Sequence, residues 1–209
     1  MNTREWIELA DSASQDPSLS QDVARRLAHE IRAALERGEG DAVPWGYLYA
    51  GAYRMVARVE SLEPEPIDAD NPNLFGTSQE SPQVTWRVPF AMLVLGVSAS
   101  AVPRYAVSPA SPWPFSLGSA LEGRDLFNAR WELNGSVDYQ TTGNSQDLML
   151  PASQIAGTGN RPRPLAWLLG RRDVVSFSFR NATNFYGDIF GVTLAHANIT
   201  MHCLRMDPP

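Results

Sequence analysis

The segment from Arg171 to Leu204 constrains the fold most strongly, because its apolar pattern, its length and its turn residues agree. Val175, Phe177 and Phe179 alternate with polar residues, which is the period-two signature of a strand with one buried face. Small polar residues around Gly187 then favour a chain reversal, and a second apolar run follows. This pattern predicts a hairpin of two long strands, which is stable only if its apolar face packs on another sheet. We therefore expect a β-sandwich or barrel.

Three further strands are predicted in the middle of the chain: Val84–Val97, Phe127–Leu133 and Asp147–Leu150. The first has apolar residues of both parities, which indicates that both of its faces are covered, and Pro89 within it indicates a sheet edge or a bulge. In the last strand the apolar parity changes, so we expect a bulge near His196–Asn198. Polar, proline-containing connections are expected over residues 61–83 and 101–117.

The first forty residues have a helical pattern, unlike the strand patterns of the rest of the chain. The predicted domains are therefore a helical arm over residues 1–40 and a β-sandwich over 41–209. Thr3 can cap a short helix, and Ser18 or Ser20 can cap a second one. The two helices carry an apolar stripe that is the candidate interface: Trp6, Leu9, Val23, Leu27, Ile31 and Leu35. This stripe can pack on the sandwich of its own subunit or cross to a neighbouring subunit.

Aromatic residues mark the start of the sandwich domain. Met55–Val59 is a plausible first strand, and Trp45, Tyr47 and Tyr49 precede it at a spacing of two. If that segment is extended, the three rings lie on one sheet face, where they could stack on sugar rings or fill a core. With Trp113, which lies in the second proline-containing connection, they form the candidate ligand-stacking set.

Charge and composition exclude several classes of protein. All 17 basic residues are arginine, and against 23 acidic residues they give a net charge of -6, which argues against broad or sequence-specific nucleic-acid binding. No apolar run approaches the roughly 20 residues of a membrane helix. The single cysteine, Cys203, excludes an internal disulfide framework and a zinc site built from cysteines.

The sequence contains no recognisable catalytic signature. His196 and His202 are separated by about 20 Å in a regular strand, which is too far for a shared metal ion. No serine lies in a nucleophile-elbow pattern, and Gly157-Thr158-Gly159 is followed by prolines rather than by a phosphate-binding helix. We therefore expect a protein that is not an enzyme, with no catalytic residues, no metal and no cofactor.

Four segments of the C-terminal half occur in a recognisable order. The first is a strand with its turn, and the second is a glycine-containing loop that continues into prolines. The third is a strand that begins with arginine and ends with asparagine, and the fourth is a strand of alternating apolar residues. They are Phe127–Ser136, Gly157–Pro164, Arg172–Asn181 and Asp188–Leu194. In this order the chain resembles the jelly-roll-like virion structural proteins of tailed bacteriophages. It departs from them at Ala195–Ala197, where a glycine followed by an aromatic residue or arginine is more usual.

The resemblance implies an antiparallel, jelly-roll-like β-sandwich, and together with the helical pattern of the first forty residues the expected fold is a mainly β protein with an N-terminal helical arm. The resemblance also implies a non-enzymatic structural role in subunit contacts on the capsid or at the neck, as a homo-oligomer in the virion, assembled in the host cytoplasm. The implied partners are other virion proteins, such as the major capsid protein or a portal or neck protein. No functional residue is carried over from the family.

Two alternatives come from other classes. A carbohydrate-binding β-sandwich module would use the rings of Trp45, Tyr47, Tyr49, Trp113 and Trp131. A cupin-like enzyme would require a bound metal.

Overall fold

The structure is a computed structural model, and it describes residues 2–15, 20–50, 52–63, 83–104, 123–134, 136–137, 149–183 and 193–206. The helices are α1 (Thr3–Gln15), α2 (Ser20–Glu36), α3 (Trp45–Ala50) and the short α4 (Ala152–Ile155). The strands in the described residues are β1 (Tyr53–Leu62), β2 (Gln83–Arg87), β3 (Met92–Pro103), β4 (Phe127–Leu133), β5 (Ser136–Val137), β6 (Leu150–Pro151), β7 (Arg163–Leu169), β8 (Val174–Asn181) and β9 (Leu194–Arg205).

The strands form two antiparallel sheets that pack face to face. The first sheet has the order β1-β9-β3-β7, and the second has the order β2-β8-β4-β5, with β6 also paired to β4. The pairs are nested, because β1 pairs with β9, β2 with β8, β3 with β7, and β4 with β5 and β6. Rolling such a long nested hairpin also brings β9 against β3 and β8 against β4. This strand order is jelly-roll-like, and it confirms the predicted antiparallel sandwich.

The predicted hairpin of the two last strands is wrong. Strand β8 pairs with β2 and β4 in the second sheet, whereas β9 pairs with β1 and β3 in the first sheet. Both strands bury one face in the same core, and alternation along each strand does not reveal whether they lie side by side or in opposite sheets. The predicted strand Val84–Val97 is likewise two strands, β2 and β3, in different sheets. Pro89 lies in the turn that crosses between them, where no ladder hydrogen bond from its nitrogen is needed.

The space between the sheets is filled by large apolar side chains. The largest fully buried ones in this core are Trp131, Phe127, Phe177, Phe179, Met92, Leu126, Leu194 and Ile199. They come from both sheets, and strand β4, which has the predicted bounds, supplies Phe127 and Trp131. This core supplies the main apolar driving force of the fold.

Strand β3 is buried on both faces, as its two apolar parities predict. Met92 and Val94 face the core between the sheets, whereas Leu93 and Leu95 belong to a second apolar cluster with the helices. The pairing register of β3 with β9 shifts between Val94 and Gly96. Beyond that point, residues of the opposite parity in β3 face the core between the sheets.

The predicted parity change in β9 is also present, slightly earlier than expected. Val102 pairs with His196, but the next residue, Pro103, pairs with Leu194, so Ala195 is the extra residue in β9. Leu194 and Ala197 are both fully buried as a result. The irregularity therefore lies just before the predicted position, His196–Asn198.

The N-terminal helices pack on the outer face of the first sheet. Trp6, Leu27 and Ile31 are in the same apolar cluster as Leu93 and Leu95 of β3. Helix α1 is capped by Asn2 rather than by the predicted Thr3. Asn2 Oδ1 accepts the Glu5 backbone N–H at 2.9 Å and Glu5 Oε2 accepts the Asn2 N–H at 2.8 Å, which is a reciprocal capping box.

Strand β7 is the longest of the strands that the sequence pattern does not predict. The loop predicted over Gly157–Pro164 ends inside it, because its prolines argue against a strand. Strand β7 lies at the edge of the first sheet, where Pro164 is tolerated. The N-terminal part of the predicted strand Asp147–Leu150 lies outside the described residues, and β6 includes only its last residue.

The two ends of the sandwich differ in their connections. At the short-turn end, the turns over residues 88–91 and 170–173 cross between the sheets. At the opposite, long-loop end, the chain passes from β1 to β2, from β3 to β4 and from β8 to β9 over much longer segments.

Candidate functional site

The segment with Trp45, Tyr47 and Tyr49 is helical rather than extended, so the expected row of rings on a sheet face is not formed. The backbone N–H groups of Tyr47 and Leu48 both bond to the carbonyl oxygen of Pro44, a residue well suited to a helix start. Trp45 and Tyr49 therefore lie one helical turn apart and stack, with ring centroids 5.7 Å apart. Tyr47 faces elsewhere and donates to Asp11 Oδ1 of α1, a bond that raises the pKa of its phenol. Trp113 lies outside the described residues.

Tyr49 anchors helix α3 to the sheet. Its ring meets His202 edge-on at 5.4 Å, and its hydroxyl donates to the Leu95 carbonyl oxygen at 3.4 Å. Gly96 makes this approach possible, because a Cβ there would lie 2.5 Å from Tyr49 Oη. Burial raises the pKa of Tyr49 well above its usual value, so the phenol stays protonated.

His202 and Ser98 form a buried polar pair beside Tyr49. Ser98 Oγ lies 3.0 Å from His202 Nε2, and the two residues are 4% and 3% exposed. Burial, and secondarily the charge of Arg54 opposite it on β1, lower the pKa of His202. His202 Nδ1 has no hydrogen-bond partner among the described residues, so the carboxylate that orients the histidine of a hydrolytic triad is not seen there. The geometry is that of a packing contact for α3.

The candidate interface residues of the arm lie against their own chain. Trp6 is 3% exposed and Leu27 and Ile31 are fully buried, whereas Leu9, Val23 and Leu35 are half-buried. Arg32 Nη2 also donates to the Ala166 carbonyl oxygen at 2.9 Å, which ties α2 to the edge strand β7. Of the two alternatives for the arm, the structure shows packing on its own sandwich. A further subunit contact by the arm would have to use its exposed side.

A cleft of about 410 Å³ lies between α2 and β7. Its polar lining comes from Arg32, Glu36 and Arg163, and its apolar wall includes Val97 and Leu165. Two guanidinium groups beside an apolar wall suit a small anion or amphiphile, and the described residues that line the cleft include no histidine, serine or cysteine. The described lining therefore supplies groups that can bind an anion.

The helices cover only part of the outer face of the first sheet. The uncovered part, here called the outer strip, consists of Val56, Arg58, Glu60, Ser100, Val102, His196, Asn198 and Thr200. Val56 is 48% exposed and Val102 43% exposed. Asn198 Nδ2 donates to Ser100 Oγ at 2.8 Å, and Arg58 pairs with Glu60 along β1. The strip is a mixed polar surface of mostly short side chains.

A second exposed surface lies at the short-turn end, and sequence reasoning missed it. Tyr53 is 53% exposed and meets Phe90 edge-on at 5.8 Å, while the guanidinium carbon of Arg205 lies 4.4 Å from the Phe90 ring centroid. The adjacent Arg171 and Arg172 were the only signal available in the sequence. The aromatic residues come from β1 and from the turn after β2, so only the fold brings them to the arginines.

The search for metal and membrane sites is confined to the described ranges. There, no three histidine, cysteine or acidic side chains converge as metal ligands. None of the helices in those ranges combines the length and apolarity of a bilayer crossing.

Comparison of the chain with known protein families, with curated proteins and with solved structures found no significant match in any of the three.

Proposed function

We propose that this chain is a non-enzymatic structural component of a bacteriophage particle, located in the virion after assembly in the host cytoplasm. In this role it contacts other virion proteins on the capsid or at the neck. The observation that carries the proposal is the nested strand order, because jelly rolls serve as building blocks of viral capsids. The four segments that begin with Phe127–Ser136 and end with Asp188–Leu194 resemble phage virion proteins, and this resemblance also supports the proposal.

The surface of the sandwich supports a contact role. Helices cover one part of the first sheet and leave the outer strip, with Val56 and Val102 at its surface, for a partner. The strip lies on regular strands, which hold a contact surface more rigidly than loops do.

The carbohydrate-binding alternative loses most of its basis in the described residues. Its proposed platform of Trp45, Tyr47 and Tyr49 is not formed, and Trp131 is fully buried in the core. Jelly rolls also occur in lectins, so glycan retention remains a useful second assay.

The proposal is tested by mass spectrometry of particles purified by density gradient from the source strain. Peptides of this chain should co-purify with the major capsid protein at a constant ratio across the particle peak, and substitution of Val56→Glu on the outer strip should reduce that ratio. Val102→Glu on the same strip should reduce the ratio as well, whereas the matched control Leu168→Glu, at an exposed position off the strip, should leave it unchanged. Absence of the chain from the particle peak, with the chain present in the soluble fraction, would refute the proposal.

A further inference from the structure

The described residues at the short-turn end carry an excess of positive charge. The strand ends and turns that meet there are residues 53–54, 87–92, 133–134, 169–174 and 203–206, and they contain five arginines but only one acidic residue, Asp173. The arginines are Arg54, Arg87, Arg171, Arg172 and Arg205, and all of them are exposed. Because the whole chain has a net charge of -6, this excess of positive charge is local to one end of the sandwich.

The one carboxylate among these residues does not neutralise the arginines. Asp173 Oδ2 accepts the backbone N–H of Gly170 at 2.8 Å, so the carboxylate is used to close its own turn. Arg87, Arg171 and Arg172 form no ion pair with another described residue. Within the part of the chain that the structure describes, their guanidinium groups therefore retain their hydrogen-bond donors for a partner.

Backbone hydrogen bonds hold these arginines on one surface. The Val88 N–H donates to the Asp173 carbonyl oxygen at 2.8 Å, and the Arg172 N–H donates to the Val88 carbonyl oxygen at 2.9 Å. These bonds join the two turns that cross between the sheets, and Met92 pairs with Arg205 at the same end of the first sheet. The backbone pairing therefore sets the positions of the arginines relative to one another.

Arg172 has a backbone conformation that is unusual for arginine. Its φ is 79°, which lies in the left-handed region that glycine adopts readily and that costs other residues free energy. A glycine at this position would close the turn without that cost. Strained residues of this kind are concentrated at functional sites, and here the strained residue presents an exposed guanidinium group on the surface.

Aromatic rings lie within this basic surface. Tyr53 is half exposed and packs on Phe90, and the guanidinium carbon of Arg205 lies 4.4 Å from the centroid of the Phe90 ring. Arg205 therefore covers one face of Phe90, which is then not open to stack on a nucleic-acid base. Tyrosine, phenylalanine and arginine are enriched in protein–protein interfaces, and tyrosine and arginine are frequent among the residues that dominate the binding energy. The combination is typical of a surface that binds a protein.

We propose that the short-turn end is a docking surface for an acidic segment of a partner protein, whose carboxylates pair with the exposed guanidinium groups beside Tyr53. Arginine suits this role because its planar group binds a carboxylate through two parallel hydrogen bonds. A long nucleic acid suits the surface less well, because the net charge of -6 on the whole chain repels phosphates that extend beyond this end.

The inference deepens the proposed function, because it names the chemistry of one partner and the surface that binds it. It rests on the proposed function only in taking that partner to be another virion protein. The binding of an acidic segment itself depends on the described residues alone, so the two can be tested separately.

The test is the fluorescence anisotropy of a fluorescein-labelled polyglutamate peptide titrated with the purified full chain. Near 0.01 M salt, where the Debye length is about 30 Å, binding should saturate, and near 1 M salt it should disappear. The double variant Arg87→Glu/Arg171→Glu should weaken binding at least about tenfold. The control Arg104→Glu/Arg161→Glu makes the same charge change at exposed positions away from the short-turn end, and its affinity should stay within about twofold of the parent.

The variant Arg172→Gly separates binding from folding. Glycine is compatible with the left-handed backbone at this position, so the melting temperature should not fall. Loss of the guanidinium group should nevertheless weaken binding of polyglutamate by about two- to fivefold, which is the effect of one exposed ion pair. Far-ultraviolet circular dichroism and thermal melting show that each variant is folded before it is compared.

Three results would overturn the inference: no saturable binding of polyglutamate by the parent at low salt, variants of the short-turn end that bind as tightly as the control, or tighter binding of a labelled oligothymidylate of equal length. The last result would assign the surface to nucleic acid instead. A chain that belongs to the particle but does not bind polyglutamate would refute this inference and leave the proposed function intact. A chain that binds polyglutamate through these arginines but is absent from particles would refute the proposed function alone.

Discussion

The side-chain amide of Asn181 donates to the backbone carbonyl oxygen of Leu62 at 2.9 Å, which ties strand β8 of the second sheet to strand β1 of the first. Asn181 Oδ1 in turn accepts the backbone N–H of Thr183 at 2.9 Å and its hydroxyl at 2.7 Å. Asn181 is 2% exposed and Thr183 is fully buried. A satisfied polar network therefore holds the sheets together where their long connections begin.

The substitution Asn181→Leu should lower the free energy of unfolding by about 2–3 kcal/mol. It removes the hydrogen-bond partner of the Leu62 carbonyl oxygen and of the Thr183 N–H and hydroxyl groups. Urea titration measures the change. The control, Asn160→Leu at an exposed loop position, should change the free energy by less than about 0.5 kcal/mol. Equal stability of the two variants would contradict the importance of the network.

Substitution of Gly157→Ala should destabilise the fold by about 1–3 kcal/mol, because the added Cβ would overlap the backbone of Arg161 and Arg163, which cannot easily move. Gly159, two residues later, is the matched control, since a Cβ there has no neighbour within 4 Å. Thermal melting of both alanine variants tests the contrast. Equal melting temperatures for the Gly157→Ala and Gly159→Ala proteins would show that the loop rearranges with little loss of stability.

His202 should make the fold less stable in acid. Because its pKa is lowered in the folded state, the unfolded state binds its proton first, so stability is full above the unfolded pKa of about 6.5 and falls as the pH drops toward the folded pKa. The slope attributable to this residue cannot exceed about 1.4 kcal/mol per pH unit. Urea titrations at about pH 8 and about pH 5.5 should show a smaller acid loss in His202→Gln than in the parent. His29→Gln, on the exposed side of α2, should retain the parental loss, and an unchanged loss in His202→Gln would contradict the prediction.

Cys203 should resist thiol reagents in the folded protein. It is fully buried, and burial raises the pKa of its thiol to about 12, so the reactive thiolate is scarce at neutral pH. Ellman's reagent should therefore label it only at the rate of unfolding, and urea should bring labelling to one thiol per chain. Fast labelling under native conditions would show that β9 opens locally.

The sequence pattern predicts the class of fold well and the pairing poorly. Alternation identifies β4 and β8, and the two parities of β3 correctly predict a strand covered on both sides, because burial of side chains depends on local periodicity. Strand pairing depends on contacts between distant parts of the chain. Nothing in the sequence around Val175 or Ile199 shows whether their strands are neighbours in one sheet or lie in opposite sheets. The hairpin prediction failed for that reason.

Surface features were the hardest to predict. The helical geometry of Trp45 and Tyr49 depends on Pro44 and on an apolar sheet face beneath Leu48, so spacing by two was a poor guide to their direction. The cluster of Tyr53, Phe90 and Arg205 joins residues from three separate parts of the chain, and no sequence motif predicts it. The interface stripe of the arm was recognised as apolar, but only the fold shows which surface covers Leu27 and Ile31.

The nested strand order also governs how the chain can fold. Strand β9, the last strand of the described residues, does not extend the first sheet at its margin but lies between β1 and β3, so that Tyr53 pairs with Cys203. Until β9 has left the ribosome, β1 has no ladder partner in that sheet and β3 exposes one of its edges. Such long sequence separation between partners is associated with slow folding, because the entropy of a large loop must be lost before the contact forms. During synthesis this sheet is therefore completed from its middle, and only after β9 has emerged.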